Sequence, residues 1–170
     1  MLKILNDLSP FFEDSYRRIN VREYALLLRI SPPTASKLLQ QYQQEGLLLR
    51  ETFKNYLLFY ADKDNKEFMD LSRIYWSLKL RGLIGHLEKR LLNPTIILFG
   101  SLSKGEAKTD SDIDLAVFSS GKEADIAEFE KALSRKIQLF WFKSIKHIKS
   151  EELANNIING YILRGKLSLS

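Results

Sequence analysis

Two aspartates separated by one residue, Asp112 and Asp114, lie in the run Asp110-Ser-Asp-Ile-Asp-Leu-Ala-Val-Phe118. They alternate with Ile113 and Leu115, so a strand here sends both carboxylates to one face and both aliphatic chains to the other. Carboxylates side by side on a buried strand repel each other and lose hydration. A divalent cation removes both costs. Hard oxygen ligands suit Mg²⁺, which takes substrate phosphates into its shell. Upstream, Thr95-Ile-Ile-Leu-Phe99 reads as a short apolar strand that ends in Gly100-Ser101. A Gly-Ser turn leaving a strand presents backbone N–H groups to an anion. Gly100 has no Cβ to keep a phosphate away, and Ser101 adds a hydroxyl donor. A phosphate seat beside a metal-binding pair implies phosphoryl or nucleotidyl transfer.

The segment Phe99-Gly-Ser-Leu-Ser-Lys-Gly-Glu-Ala-Lys-Thr-Asp-Ser-Asp-Ile-Asp-Leu-Ala-Val resembles the signature of minimal nucleotidyltransferases of the DNA polymerase β-like superfamily. Gly-Ser, a following Gly and Asp-Ser-Asp-x-Asp-Leu are all present. Asn159-Gly-Tyr-Ile-Leu-Arg-Gly165 is similar to the family's closing segment. The resemblance spans about residues 93–165. It implies a small mixed sheet and a nucleoside triphosphate held by Gly100, Ser101 and Lys104. It also implies Mg as cofactor, with Asp112 and Asp114 as catalytic residues and metal ligands. Lys104 stands where many relatives carry Arg, so it offers a point charge rather than a planar fork. The family's third carboxylate falls in Lys136-Ile-Gln-Leu-Phe140, where Gln138 occupies its place. An amide ligates weakly through oxygen and cannot act as a base near pH 7. Glu106 and Asp110 are the nearby acids in sequence and the candidate substitutes. Minimal relatives include antitoxins that modify a partner toxin, often of the HEPN RNase type. A toxin or other protein is therefore among the implied acceptors.

The elements that precede this segment have their own pattern. Residues 1–14 carry Leu2, Leu5 and Phe12 at helical spacing, with Pro10 expected to end or kink the helix. Asn20 with Glu23 reads as the capped start of a second helix. Ser31 and Pro32 open a third, over 32–45, stopped by Gly46. Two β-rich runs, Leu47–Glu51 and Tyr56–Tyr60, then read as a hairpin turning at Asn55. Three helices and a hairpin in this order make a winged helix-turn-helix. Ser31-Pro-Pro-Thr-Ala-Ser-Lys-Leu-Leu followed by Glu45-Gly-Leu-Leu resembles the winged-helix regulators of bacteria and archaea. The expected DNA-binding residues are Thr34, Ser36, Lys37 and Gln40 on the third helix, with Arg50 and Lys54 on the hairpin for phosphates. The same residues also describe a plain solvated face, and winged helices also serve as protein-binding modules.

The whole reads as an α+β chain in three parts. Residues 1–62 form the DNA-binding domain, 63–92 a linking helix and 93–170 the nucleotidyltransferase-like domain. A single helix over 66–91 would be about 39 Å long, and is either packed on its own domain or the seam of a homodimer. The basic excess is largest in this linker, with 7 basic against 4 acidic residues in 63–92, within an overall charge of +5. Any DNA contact must therefore come from a shaped surface rather than a polybasic tail. With no cysteine, disulfides and thiolate metal sites are excluded. The first twelve residues do not read as a signal peptide and no apolar run is long enough to span a bilayer, so a cytoplasmic location is expected. His86 and His147 are isolated and read as surface or packing residues. Three functions remain: a transfer enzyme modifying a hydroxyl of a protein or nucleic acid, a catalytically impaired DNA-binding regulator or antitoxin that uses this domain to sense nucleotide or bind a partner, or an antitoxin that acts by stoichiometric masking.

Overall fold

The computed structural model describes residues 2–121 and 124–167. It divides into two units, Met1–Tyr75 with Gly105–Thr109, and Trp76–Lys104 with Asp110–Ser170.

The first unit opens with α1 (Lys3–Asp7) and α2 (Ser9–Glu13). The single helix expected over 1–14 is broken at Leu8, because Pro10 lies in the first turn of α2, where its missing N–H leaves no bond unmade. After β1 (Ile19–Asn20), α3 (Val21–Leu28) starts where the Asn20 side chain accepts the Glu23 N–H at 3.0 Å. The Ser31 hydroxyl caps α4 (Pro32–Gln44). Strands β2 (Leu48–Phe53) and β3 (Tyr56–Ala61) are joined by Lys54-Asn55, both left-handed at φ 50° and 45°, the geometry of a type I′ hairpin turn. The three strands form an antiparallel sheet in the order β1-β3-β2.

Helix α5 (Lys66–Lys79) begins in this unit. Its Phe68 and Tyr75 rings each lie 5.2 Å from the ring of the buried Phe12. That aromatic packing holds the greater part of α5 to this unit, which runs through Tyr75. Gly105–Thr109 also belongs here. The Ser15 N–H and hydroxyl both donate to the Ala107 carbonyl, at 2.9 and 3.0 Å. Thr109 donates to the Asp14 carboxylate at 2.7 Å. A buried polar cluster ties the helices together: Tyr42 donates to the Asp7 carboxylate at 2.7 Å and Tyr24 to the Asp7 carbonyl at 2.9 Å. Burial, reinforced by Asp7, holds both phenols protonated, far above the usual tyrosine range.

The second unit starts in the last turn of α5 and continues into α6 (Arg81–Arg90). The continuous helix expected over 66–91 is thus two helices. The interruption is a backbone rotation at the fully buried Leu80 (φ −84°, ψ −2°). Then follow β4 (Thr95–Phe99), a single turn α7 (Gly100–Ser103), β5 (Ile113–Phe118), α8 (Ala127–Leu133) and β6 (Ile137–Phe142). A 3-10 turn at Ile145–His147, α9 (Glu151–Ile158) and β7 (Tyr161–Arg164) complete it. The sheet order is β6-β5-β4-β7, with β5 and β6 parallel and β4 antiparallel to both its neighbours. The fold is therefore mixed α+β with a small mixed sheet. Ile97, Phe99, Ala116 and Ile157 centre its core. Phe140 packs edge-on against Phe99, and Phe142 lies against Phe118, so these two rings of β6 cover the core. Among the described residues no helix is long and apolar enough to cross a membrane.

Candidate functional site

Strand β4 ends at Phe99, whose register partner on β5 is Asp114; across β5, Asp114 is paired with Gln138 of β6. Three neighbouring strands thus bring the turn at Gly100, the Asp pair and Gln138 to one edge of the sheet. Asp112 lies one residue before β5, and the buried Ile113 and Leu115 alternate with the half-buried Asp112 and Asp114. The expected alternation of carboxylate and core is present.

Gly100 has φ +72°, a left-handed backbone, and a Cβ there would collide with the Asp114 carboxylate. Only glycine allows this approach of backbone to carboxylate. Asp114 is pushed above the ordinary carboxylate range, first by burial and then by the charge of Asp112. This is the cost that two adjacent carboxylates carry when no cation offsets it. Ser101 is half-buried and follows Gly100 in α7. Lys104, just past α7, is exposed and donates to the Asn156 side-chain oxygen on α9 at 3.2 Å. The Gln138 amide donates to Asp112 Oδ2 at 2.5 Å. Among the described residues no group of three or more histidine, cysteine or acidic side chains is placed to hold a metal ion. Two carboxylates and an amide oxygen are hard donors of the kind Mg²⁺ takes, with room left for water and phosphate ligands. Gly160, joining α9 to β7, closes the site's scaffold: a Cβ there would meet the Leu98 carbonyl at 2.6 Å.

The family described as Polymerase beta, Nucleotidyltransferase matches residues 87–166. The C-terminal domain is nucleotidyltransferase-like. Among solved structures the chain is similar to one described as a toxin-antitoxin with AMP-PNP, at 26% identity and a TM-score of 0.41, covering 53% of this chain and 73% of that chain. No curated protein matches. The nucleotidyltransferase-like domain contains every expected nucleotide and metal residue, Gly100, Ser101, Lys104, Asp112 and Asp114, with Gln138 beside the pair. Two of its polar residues carried no sequence signal: Asn156, which holds Lys104, and the buried Arg135, which donates to the Ser111 carbonyl at 2.7 Å. The histidines lie apart from these interactions: His86 packs tilted against the Phe129 ring and His147 pairs with Ser144.

The first unit holds the six expected DNA-contacting residues. Thr34, Lys37 and Gln40 are exposed on α4, Ser36 is half-buried there, Arg50 is exposed on β2, and Lys54 sits in the hairpin turn. Two of the hydroxyls are already engaged. Ser31 and Thr34 share a 2.8 Å bond, and Gln40 donates to Ser36 at 3.2 Å. The turn is flanked by Phe53 and Tyr56, 59% and 63% exposed, an aromatic addition to the basic residues that spacing did not single out.

Proposed function

We propose that the chain is a Mg²⁺-dependent nucleotidyltransferase that moves a nucleotidyl group from a nucleoside triphosphate to a hydroxyl of a protein or nucleic acid, carried with a DNA-binding winged helix. The observation that supports it best is the packing of the Gly100 backbone directly against the Asp114 carboxylate. A phosphate on the Gly100-Ser101 turn is thereby adjacent to Asp112 and Asp114 without any rearrangement of chain. Mg²⁺ held by Asp112 and Asp114 would offset charge on the phosphates and polarise the phosphorus under attack. The chain's own part is positional. The N–H groups of the turn and the Ser101 hydroxyl hold phosphate oxygens. Lys104, oriented by Asn156, adds a positive charge beside them. Asp114 stands within the strand's ladder and Asp112 one residue before the strand, on the same face, so the pair is placed ahead of binding.

A second reading draws support from Gln138. Where the family has a carboxylate able to accept the proton of the attacking hydroxyl, this chain has an amide that donates to Asp112. On that reading the domain binds nucleotide and metal but turns over poorly, and serves a DNA-binding regulator or antitoxin as a sensor or partner-binding module. In the first unit, the succession of α3, an exposed polar α4 and a hairpin supports the DNA-binding assignment. The expected operator is double-stranded, and a homodimer reading two half-sites is the natural arrangement.

Labelled nucleoside triphosphates, Mg²⁺ and candidate acceptors, including any co-purifying protein, distinguish the readings. Label transferred by the wild type and lost in Asp112→Asn and Asp114→Asn supports the enzyme. Label transferred only by Gln138→Asp supports the sensor. No label from either variant or wild type removes the transferase assignment.

A further inference from the structure

The geometry points to Arg135 as a positioning residue for Asp112, an inference that rests on the metal-site reading above. Arg135 is 8% exposed, which is unusual for a guanidinium and costly unless its donors and charge are met. It stacks 5.1 Å over the ring of Trp76, itself fully buried, and donates to the Ser111 carbonyl at 2.7 Å. That carbonyl belongs to the peptide plane whose nitrogen is the Asp112 N–H. Fixing it fixes the start of the Asp112 backbone.

Asp112 needs such a hold. Strand β5 starts at Ile113, whose N–H makes the first bond to β6, at 2.8 Å to the Lys136 carbonyl. Asp112 is one residue outside that ladder. Its side chain is tied by Gln138 and its preceding peptide by Arg135. Arg135 is itself well placed to be rigid: its N–H donates to the Glu130 carbonyl at 3.2 Å, and the Glu130 carboxylate accepts the Ile137 N–H at 2.9 Å. The residue joining α8 to β6 is thus anchored at both its backbone and its side chain. A planar fork can lie flat on an indole and still donate in its own plane; an ammonium cannot do both. Supporting groups one shell behind metal ligands commonly govern affinity through geometry of this kind.

The test is Mn²⁺ affinity, as a paramagnetic stand-in for Mg²⁺, measured on the full chain with ATP present for wild type, Arg135→Lys, Arg135→Met and Asp112→Asn. Folding is checked in parallel by circular dichroism. Arg135→Met is expected to weaken Mn²⁺ binding by about tenfold or more while the chain remains folded, with Arg135→Lys between it and wild type. A folded Arg135 variant that binds Mn²⁺ as the wild type does overturns the inference and leaves the metal site standing. Wild type that binds Mn²⁺ no better than Asp112→Asn removes the metal site and the inference with it. Should the variants not fold, the wild type decides: the Arg135 guanidinium resonances must shift on adding Mg²⁺ and ATP, and unshifted resonances overturn the inference.

Discussion

Gln138 donates its amide to Asp112 across 2.5 Å, at the strand position where a third carboxylate would repel it. The amide therefore relieves charge at the pair instead of adding to it. Gln138→Asp puts three carboxylates at one edge, which favours divalent cations and disfavours the metal-free protein. The expected outcome is lower thermal stability in chelator and a larger stabilisation on adding Mg²⁺ than wild type shows. Thermal unfolding with and without Mg²⁺ checks this. Equal Mg²⁺ shifts in the two proteins would contradict a role for position 138 at the cation.

Gly100→Ala is expected to be damaging well beyond a methyl group's size. Its left-handed φ of +72° costs an alanine about 1–3 kcal/mol. The new Cβ must also displace the Asp114 carboxylate. Loss of both stability and ATP affinity follows, read by denaturant titration and by nucleotide binding. Gly82→Ala is the control. It lies within α6, where its Cβ would make an ordinary 3.7 Å contact with Phe129, and helix propensity favours the substitution by about 0.5–1 kcal/mol.

Asp114 sets a pH dependence whose sign follows from burial. Its folded value is raised, so the folded protein keeps a proton that the unfolded chain has already released. Between the ordinary aspartate range and the raised value, stability falls as pH rises; outside that interval this group contributes no slope. In EDTA, wild type should lose stability across that window, and Asp114→Asn should lack this part of the slope. An unchanged slope in Asp114→Asn would place its source elsewhere.

What could be read from the chain was local. Caps at Asn20 and Ser31, a hairpin turning at Asn55, and the passage from apolar strand to Gly-Ser to Asp-x-Asp are all set by neighbours a few residues apart. The contacts that were not legible join distant residues: Arg135 to Ser111 over 24 positions, Lys104 to Asn156 over 52, Ser15 to Ala107 over 92. Periodicity carries no information about such pairs. The packing of Phe12 on Phe68 and Tyr75 is another contact between residues far apart in the chain.

The Asp7 cluster predicts a coupling of fold to surface within the first unit. Tyr42→Phe removes the donor at 2.7 Å from the buried Asp7 carboxylate while keeping the ring, and leaves Oδ2 with only its ion pair to the largely exposed Lys3. The expected loss is about 1–3 kcal/mol, measured by urea unfolding. Asp7→Leu with Tyr42→Phe, which removes both polar partners, should cost less than the sum of the two single changes.

DNA binding through α4 and the hairpin carries a quantitative signature. Lys37, Arg50 and Lys54 are exposed, and contacts to phosphate release counterions in proportion to their number. Replacing each by Ala should weaken binding to all duplexes alike and lower the slope of log affinity against log salt by about one. Gln40→Ala should instead alter preference among sequences, since an amide on a helix in the major groove reads base edges. Phe53→Ala and Tyr56→Ala separate DNA from a protein partner. Their exposed rings flank the basic turn, and a protein partner would lose affinity with little change in salt slope. If the three basic substitutions leave both affinity and slope unchanged, α4 and the hairpin do not face DNA, and the exposed aromatic pair becomes the part of this unit to test against protein partners.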